Sequence, residues 1–229
     1  MRRRIHGSKD HSDVAASLHS LAQVYKAQGR LDDSASLHEE SLAMSRRIHG
    51  SKDHSNVAVS LHSLGQVYIL RGQLDECALL TAESVAITRR IHGSKDHSDV
   101  AVSLCSLAQV YMAQGRLEEC ASLHAESLAM LRRIHGSKDH SSVAVSLHSL
   151  GQVYMAQGLL GECASLTEES LAMHRRIHGS KDHSSVAASL HSLARVHMVR
   201  GRLGKCASLT EESLAMRRRI HGSKDHSDV

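Results

Sequence analysis

The sequence predicts an all-α fold, a right-handed superhelix of five stacked helix-turn-helix pairs. The first observation behind this is a period. The segment Arg3-Arg4-Ile5-His6-Gly7-Ser8-Lys9-Asp10-His11-Ser12 returns every 43 residues, with its glycine at Gly7, Gly50, Gly93, Gly136, Gly179 and Gly222. Self-similarity at a fixed period of this length marks an array of stacked supersecondary units. The second is helical spacing of apolar residues inside the unit, at Val14, Leu18, Leu21, Ala22 and Tyr25. The third is punctuation: glycines fall where each helix should stop, and the chain has no proline.

Within one unit the first helix opens near Ser12. Ser12 or Asp10 is placed to cap its first amides, and Asp13 suits the positive end of the helix dipole. Gln28-Gly29 closes it, glycine supplying the left-handed conformation of a helix end. The second helix begins at Leu31 and runs through Ala35, Leu42 and Ala43 to about Ile48. Asp32 and Asp33 open it, Arg46-Arg47 close it, and Gly50 ends it, all in accord with the dipole. Translation by the period gives repeats at 12–49, 55–92, 98–135, 141–178 and 184–221, with 222–229 starting a further one, so that 1–229 reads as a single array.

Apolar content of 41% and charged content of 23% are ordinary for a folded chain, but there is no Phe or Trp, and only four Tyr. The core must therefore be built from Leu, Val, Ala, Met and Cys, which predicts modest stability per repeat. A formal charge of +4 is mildly basic, far from the one-sided balance of a dedicated nucleic-acid binder. Five cysteines, an odd count with no close pair, argue against a disulfide framework and for a reducing, cytoplasmic setting. No apolar run approaches the length of a membrane span. The start, Met1-Arg2-Arg3-Arg4, has no apolar stretch after it and recurs at Met216, so the repeat explains it better than a targeting signal.

The run Gly-Ser-Lys-Asp-His-Ser-Asp-Val-Ala, followed by Ser17-Leu18-His19-Ser20-Leu21-Ala22-Gln23-Val24-Tyr25 and Gln28-Gly29-Arg30-Leu31, resembles a tetratricopeptide repeat of the kinesin light chain type. The resemblance covers essentially the whole chain. Leu18, Leu21, Ala22, Tyr25 and Gly29 match the signature of the first helix and turn. It departs from the family pattern at the proline before the first helix, which is Ser12 here, and at an additional serine, Ser8, that lengthens the turn. In the second helix the family's alanine becomes Ser34, Cys77, Cys120, Cys163 and Cys206, and the aromatic one turn later becomes His38, Thr81, His124, Thr167 and Thr210. Small-for-small exchange fits, with buried hydroxyls expected to bond back to the preceding turn. Loss of the aromatic implies a packing deficit.

The residues offer three chemistries besides protein binding. The pair His6 and His11, with Asp10 between, recurs in every turn, but a structural zinc site needs four ligands and there is no Cys-x-x-Cys, so no metal or cofactor is expected. Ser, His and Asp are abundant, yet paired helices on an open surface provide no shielded nucleophile, so no catalysis is expected. The arginine pairs Arg46-Arg47, Arg89-Arg90, Arg132-Arg133 and Arg175-Arg176 could form a basic edge for RNA, but stacking aromatics are missing.

The resemblance implies a non-catalytic interaction scaffold whose first helices line a concave groove for a protein or peptide segment. The groove positions are then His19, Gln23 and Lys26 in the first repeat; His62, Gln66 and Ile69 in the second; Cys105, Gln109 and Met112 in the third; His148, Gln152 and Met155 in the fourth; and His191, Arg195 and Met198 in the fifth. Gln and His can donate and accept along a peptide backbone, and Met adapts to varied apolar partners. The family's groove asparagine is replaced by Ser20, Ser63, Ser106, Ser149 and Ser192. End-to-end self-association is the main alternative, because the array begins and stops at the same phase without a polar capping helix, and RNA binding through the arginine-rich helix ends is the other.

Overall fold

The computed structural model describes residues 10–50 and 52–222. His6, Ser8, the Met1–Arg4 segment and the stretch after Gly222 lie outside the described residues. Among the described residues there are ten helices and no strand: α1 Ser12–Ala27, α2 Leu31–His49, α3 Ser55–Leu70, α4 Leu74–His92, α5 Ser98–Ala113, α6 Leu117–His135, α7 Ser141–Ala156, α8 Leu160–His178, α9 Ser184–Val199 and α10 Leu203–Gly222. They gather into two compact units, one ending at Arg116 and the other starting at Leu117. In the first, α1 to α5 pack each on the next in chain order; in the second, α6 to α10 do the same.

Each first helix is capped by a histidine, not by the serine or aspartate that composition suggested. His11 has extended backbone and its Nδ1 accepts the Asp13 amide hydrogen at 3.1 Å. His54, His97, His140 and His183 cap α3, α5, α7 and α9 in the same way. Nδ1 is attached to Cγ, the same position as the Oδ1 of an Asn or Asp cap, so a neutral imidazole can reproduce that cap's geometry. Asp10 is not available for it because its carboxylate is held by Arg47. The closing turn is as expected: Gly29 takes φ 76° and Gly50 takes φ 62°, conformations that a side chain would resist.

The core of each unit is a run of small and branched residues. In the first, Leu42, Leu61, Leu64, Val67 and Ile87 pack together; in the second, Leu171, Val186, Leu190, Leu193 and Met216 do. Buried hydroxyls supply part of the register. The Ser41 hydroxyl crosses from α2 to the Ala15 carbonyl of α1 at 2.9 Å, and Ser84, Ser170 and Ser213 repeat the bond to Ala58, Ala144 and Ala187. These serines bond across the pair and not back along their own helix, whereas Thr88, Thr167 and Thr210 do bond back one turn. A hydroxyl using the second lone pair of a partner helix's carbonyl fixes how the two helices slide. At the position of the family's aromatic, the fully buried His38 sits edge-on to His19, ring centroids 5.0 Å apart.

The outermost helices differ from their interior equivalents. Leu21 of α1 is 42% exposed where Leu64 of α3 is 3%, and Val24 is 49% exposed where Val67 is 0%. On α10, Leu214 is 47% exposed where Leu171 of α8 is 6%.

Candidate partner-binding surface

In the first unit, α1, α3 and α5 present their surface side chains along one face. His19, Gln23 and Lys26 are half-buried on α1; His62 is half-buried and Gln66 exposed on α3; Cys105 and Met112 are half-buried and Gln109 exposed on α5. The positions are connected. Lys26 Nζ donates to Gln66 Oε1 at 2.9 Å, and the Gln66 amide nitrogen donates to His62 Nε2 at 2.9 Å, which places the imidazole proton on Nδ1. Burial, and secondarily Lys26, holds the pKa of His19 and of His62 below the ordinary imidazole value, so this face carries neutral histidines at neutral pH. In the second unit, Gln152 donates to His148 Nε2 at 3.0 Å, and burial lowers the His148 pKa too. Met155 is half-buried, and His191 and Arg195 are exposed.

Two clefts open on this face of the first unit, one period apart. The first, of about 230 Å³, is lined by Ala16, His19, Ser45, Asn56, Val59 and Ser60. The second, of about 350 Å³, lies between α3, α4 and α5 and includes Val59, His62, Thr88, Ile91, Asp99 and Val102. Most lining positions correspond by the 43-residue period, but Ala16 gives way to Val59, Ser45 to Thr88, Asn56 to Asp99 and Val59 to Val102, and Ile91 joins the lining, so the second cleft is the more apolar one. Val59 and Val102 are 53% and 64% exposed. In the second unit a cleft of about 310 Å³ joins Gln152, Met155, Thr167 and Arg195.

Sequence reasoning named the histidine and glutamine positions but missed these valines, which stand one helical turn before them. The signal was there: the position is Ala16 and Ala188 in the outer repeats and Val59, Val102 and Val145 in the inner ones. An exposed β-branched residue on a helix has little propensity reason to be there.

The arginine edge is not a free basic surface. Arg46 pairs with Glu83, Arg132 with Glu169 and Arg175 with Glu212, each at 2.6 Å. Arg47, Arg90, Arg176 and Arg219 each make two hydrogen bonds to one aspartate, Asp10, Asp53, Asp139 and Asp182 respectively. These bonds hold the four carboxyl groups below the usual range. A phosphate backbone would have to displace a carboxylate at each of these guanidinium groups. The cysteines are thiols, with Cys77, Cys120 and Cys163 buried. Burial pushes the Cys77 and Cys163 thiols up, away from the reactive thiolate form. No helix among the described residues is long and apolar enough to cross a membrane.

The tetratricopeptide repeat family matches residues 13–90, 99–176 and 186–228. No curated protein matches the chain in sequence. Among solved structures, a singly substituted form of the nearly identical TPR-like repeats of a Podosopora anserina protein assigned to the kinesin light chains is 27% identical, with a TM-score of 0.79 over 92% of this chain and 98% of that one. The form without that substitution is 26% identical with a TM-score of 0.78, over 92% and 98%. BtubC (BKLC) from P. vanneervenii shares the fold, with a TM-score of 0.80 at 19% identity over 92% of this chain and 82% of that one.

Proposed function

We propose that this chain, which belongs to the tetratricopeptide repeat family, is a non-catalytic scaffold that holds a peptide segment of a partner protein on its first-helix face. The observation that carries this reading is the cleft between α3, α4 and α5, where exposed Val59 and Val102 stand beside Ile91 and His62. An apolar side chain of the segment enters between the valines, and His62, Gln66 and Gln109 meet its main chain. A small set of polar groups fixing orientation around an apolar recess is the usual chemistry of a binding site. The buried thiols suit the reducing cytoplasm.

Selection from a displayed peptide library against the chain tests this. Selected sequences should share an apolar residue and lose binding to a variant with Val59→Asp and Val102→Asp. Peptides that hold the variant as well as the parent would sink the reading.

A second reading, stacking on another copy, is favoured by the exposed Leu21 and Val24 of α1 and Leu214 of α10. The interior equivalents of these residues are covered by the neighbouring repeat. Sedimentation velocity should then show growth with concentration that Leu214→Glu abolishes, whereas a single species at every concentration would reject self-stacking.

A further inference from the structure

We propose that His92, His97 and Asp99 bind a divalent transition-metal ion of the zinc class at the junction between α4 and α5. Every described junction between repeats brings the last residue of a second helix against the cap of the next first helix. The rings stack in each: His49 on His54 with centroids 3.4 Å apart, His92 on His97 at 3.6 Å, His135 on His140 at 3.5 Å and His178 on His183 at 3.5 Å. A paired imidazole is therefore built into the fold four times, and what differs is the residue two places after the second histidine. It is Asn56, Ser142 and Ser185 at three of these junctions and Asp99 at the other.

That carboxylate converges on both rings. Asp99 Oδ2 stands 3.6 Å from His92 Nε2 and 3.7 Å from His97 Nδ1, and one ligand atom from each of the three groups lies within 4.8 Å of the others. Ligands about 2.1 Å from a tetrahedral ion stand roughly 3.4 Å apart. The carboxylate distances are thus close to those of a loaded site, and a tilt of the stacked rings brings the nitrogens in. Two imidazoles and a carboxylate suit Zn²⁺, and leave a position open to water. His97 Nδ1 also accepts the Asp99 amide hydrogen at 3.2 Å. The ion draws on the same lone pair as the α5 cap, so binding perturbs the start of that helix and is weaker than in a closed four-ligand site. Three ligands and an open position fall short of the closed four-ligand structural site on which the expectation of no metal rested. At the preceding junction the acid between the two histidines, Asp53, is held by Arg90, and the carboxylate that completes the set at this one, Asp99, lies beyond the pair.

The test is a calorimetric titration of the full chain with Zn²⁺ alone, in parallel with NMR of its histidine rings and of the Asp99 amide. The same three residue types occur at His6, His11 and Asp13 and at His221, His226 and Asp228, where His6, His226 and Asp228 lie outside the described residues. The readout is therefore a change in stoichiometry, not its total. Asp99→Asn should lose one bound zinc per chain while keeping the fold, since Asn56 already occupies the equivalent position. Asn56→Asp should gain one. In the parent, the His92, His97 and Asp99 resonances should move with zinc. An unchanged stoichiometry and affinity in Asp99→Asn would overturn the proposal, as would resonances of these three residues that stay in place or an Asn56→Asp chain that gains nothing.

Discussion

Arg90, in the last turn of α4, holds Asp53, just before α3, through two hydrogen bonds of 2.7 and 2.8 Å. The contact ties the end of a repeat's second helix to the loop that precedes its first. The same staple recurs as Arg47 on Asp10, Arg176 on Asp139 and Arg219 on Asp182. A planar guanidinium matches a carboxylate in this two-bond geometry, which a lysine could not reproduce.

Asp53 is held below its ordinary pKa chiefly by the Arg90 hydrogen bond. Such a group contributes stability above the unfolded value of about 4, and the contribution disappears as pH falls through the lower folded value. Asp53→Asn should therefore lower Tm at neutral pH, by less in high salt, and the gap to the parent should close in strong acid. A Tm gap independent of both pH and salt would show that the loss is one of packing.

Acid should also act through the interior. Burial depresses the pKa of His38 to about 4, with His19 and Lys26 adding to the shift, and the pKa of His174 to about 4, with His178, His148 and His183 contributing. Well above pH 6.5 these rings are neutral in both folded and unfolded chains and give no pH dependence. As pH falls from 6.5 towards 4 the unfolded chain binds protons that the folded chain refuses, so stability falls by about 1.4 kcal/mol per pH unit for each such histidine. A chain with His38→Thr and His174→Leu, residues found at the equivalent positions Thr81 and Leu131, should show a flatter Tm profile in this window. Denaturation curves at several pH values check it; an unchanged slope would count against buried, neutral rings.

The histidine caps make a separable prediction. His54→Ala should destabilise the chain by about 1 kcal/mol through loss of the bond to the Asn56 amide. His54→Asn should recover most of that, because its side-chain oxygen can accept the same bond without any ring to stack on His49. If Asn is as damaging as Ala, the stacking at 3.4 Å and not the cap holds the junction.

Much of this fold could be read from the sequence, since a 43-residue period makes each helix boundary visible several times over. The capping residue could not: histidine is an uncommon cap, and Ser12 and Asp10 are common ones, so propensity pointed away from His11. Nor could the serine bonds be foreseen. Whether Ser41 turns back along α2 or across to Ala15 depends on where the partner helix lies, which spacing within one helix does not fix. The surface histidines and glutamines followed from family position alone. Val59 and Val102 were passed over because periodicity assigns a residue to a face but does not reveal a recess between three helices. The open Leu21 is the converse case, a core position by pattern that is exposed because no described helix lies beyond α1.

Docking of a partner segment at the α3, α4 and α5 cleft is tested by fluorescence anisotropy with a selected, labelled peptide against two single variants. Val102→Asp places a charge inside the cleft, whereas Leu79→Asp changes a side chain on α4 that is 74% exposed and is not among the residues lining the cleft. Binding at the cleft predicts that Val102→Asp weakens affinity at least tenfold, by burying an unpaired carboxylate, and that Leu79→Asp leaves it unchanged. Equal affinity of the peptide for the parent and for Val102→Asp would mean that the segment docks elsewhere.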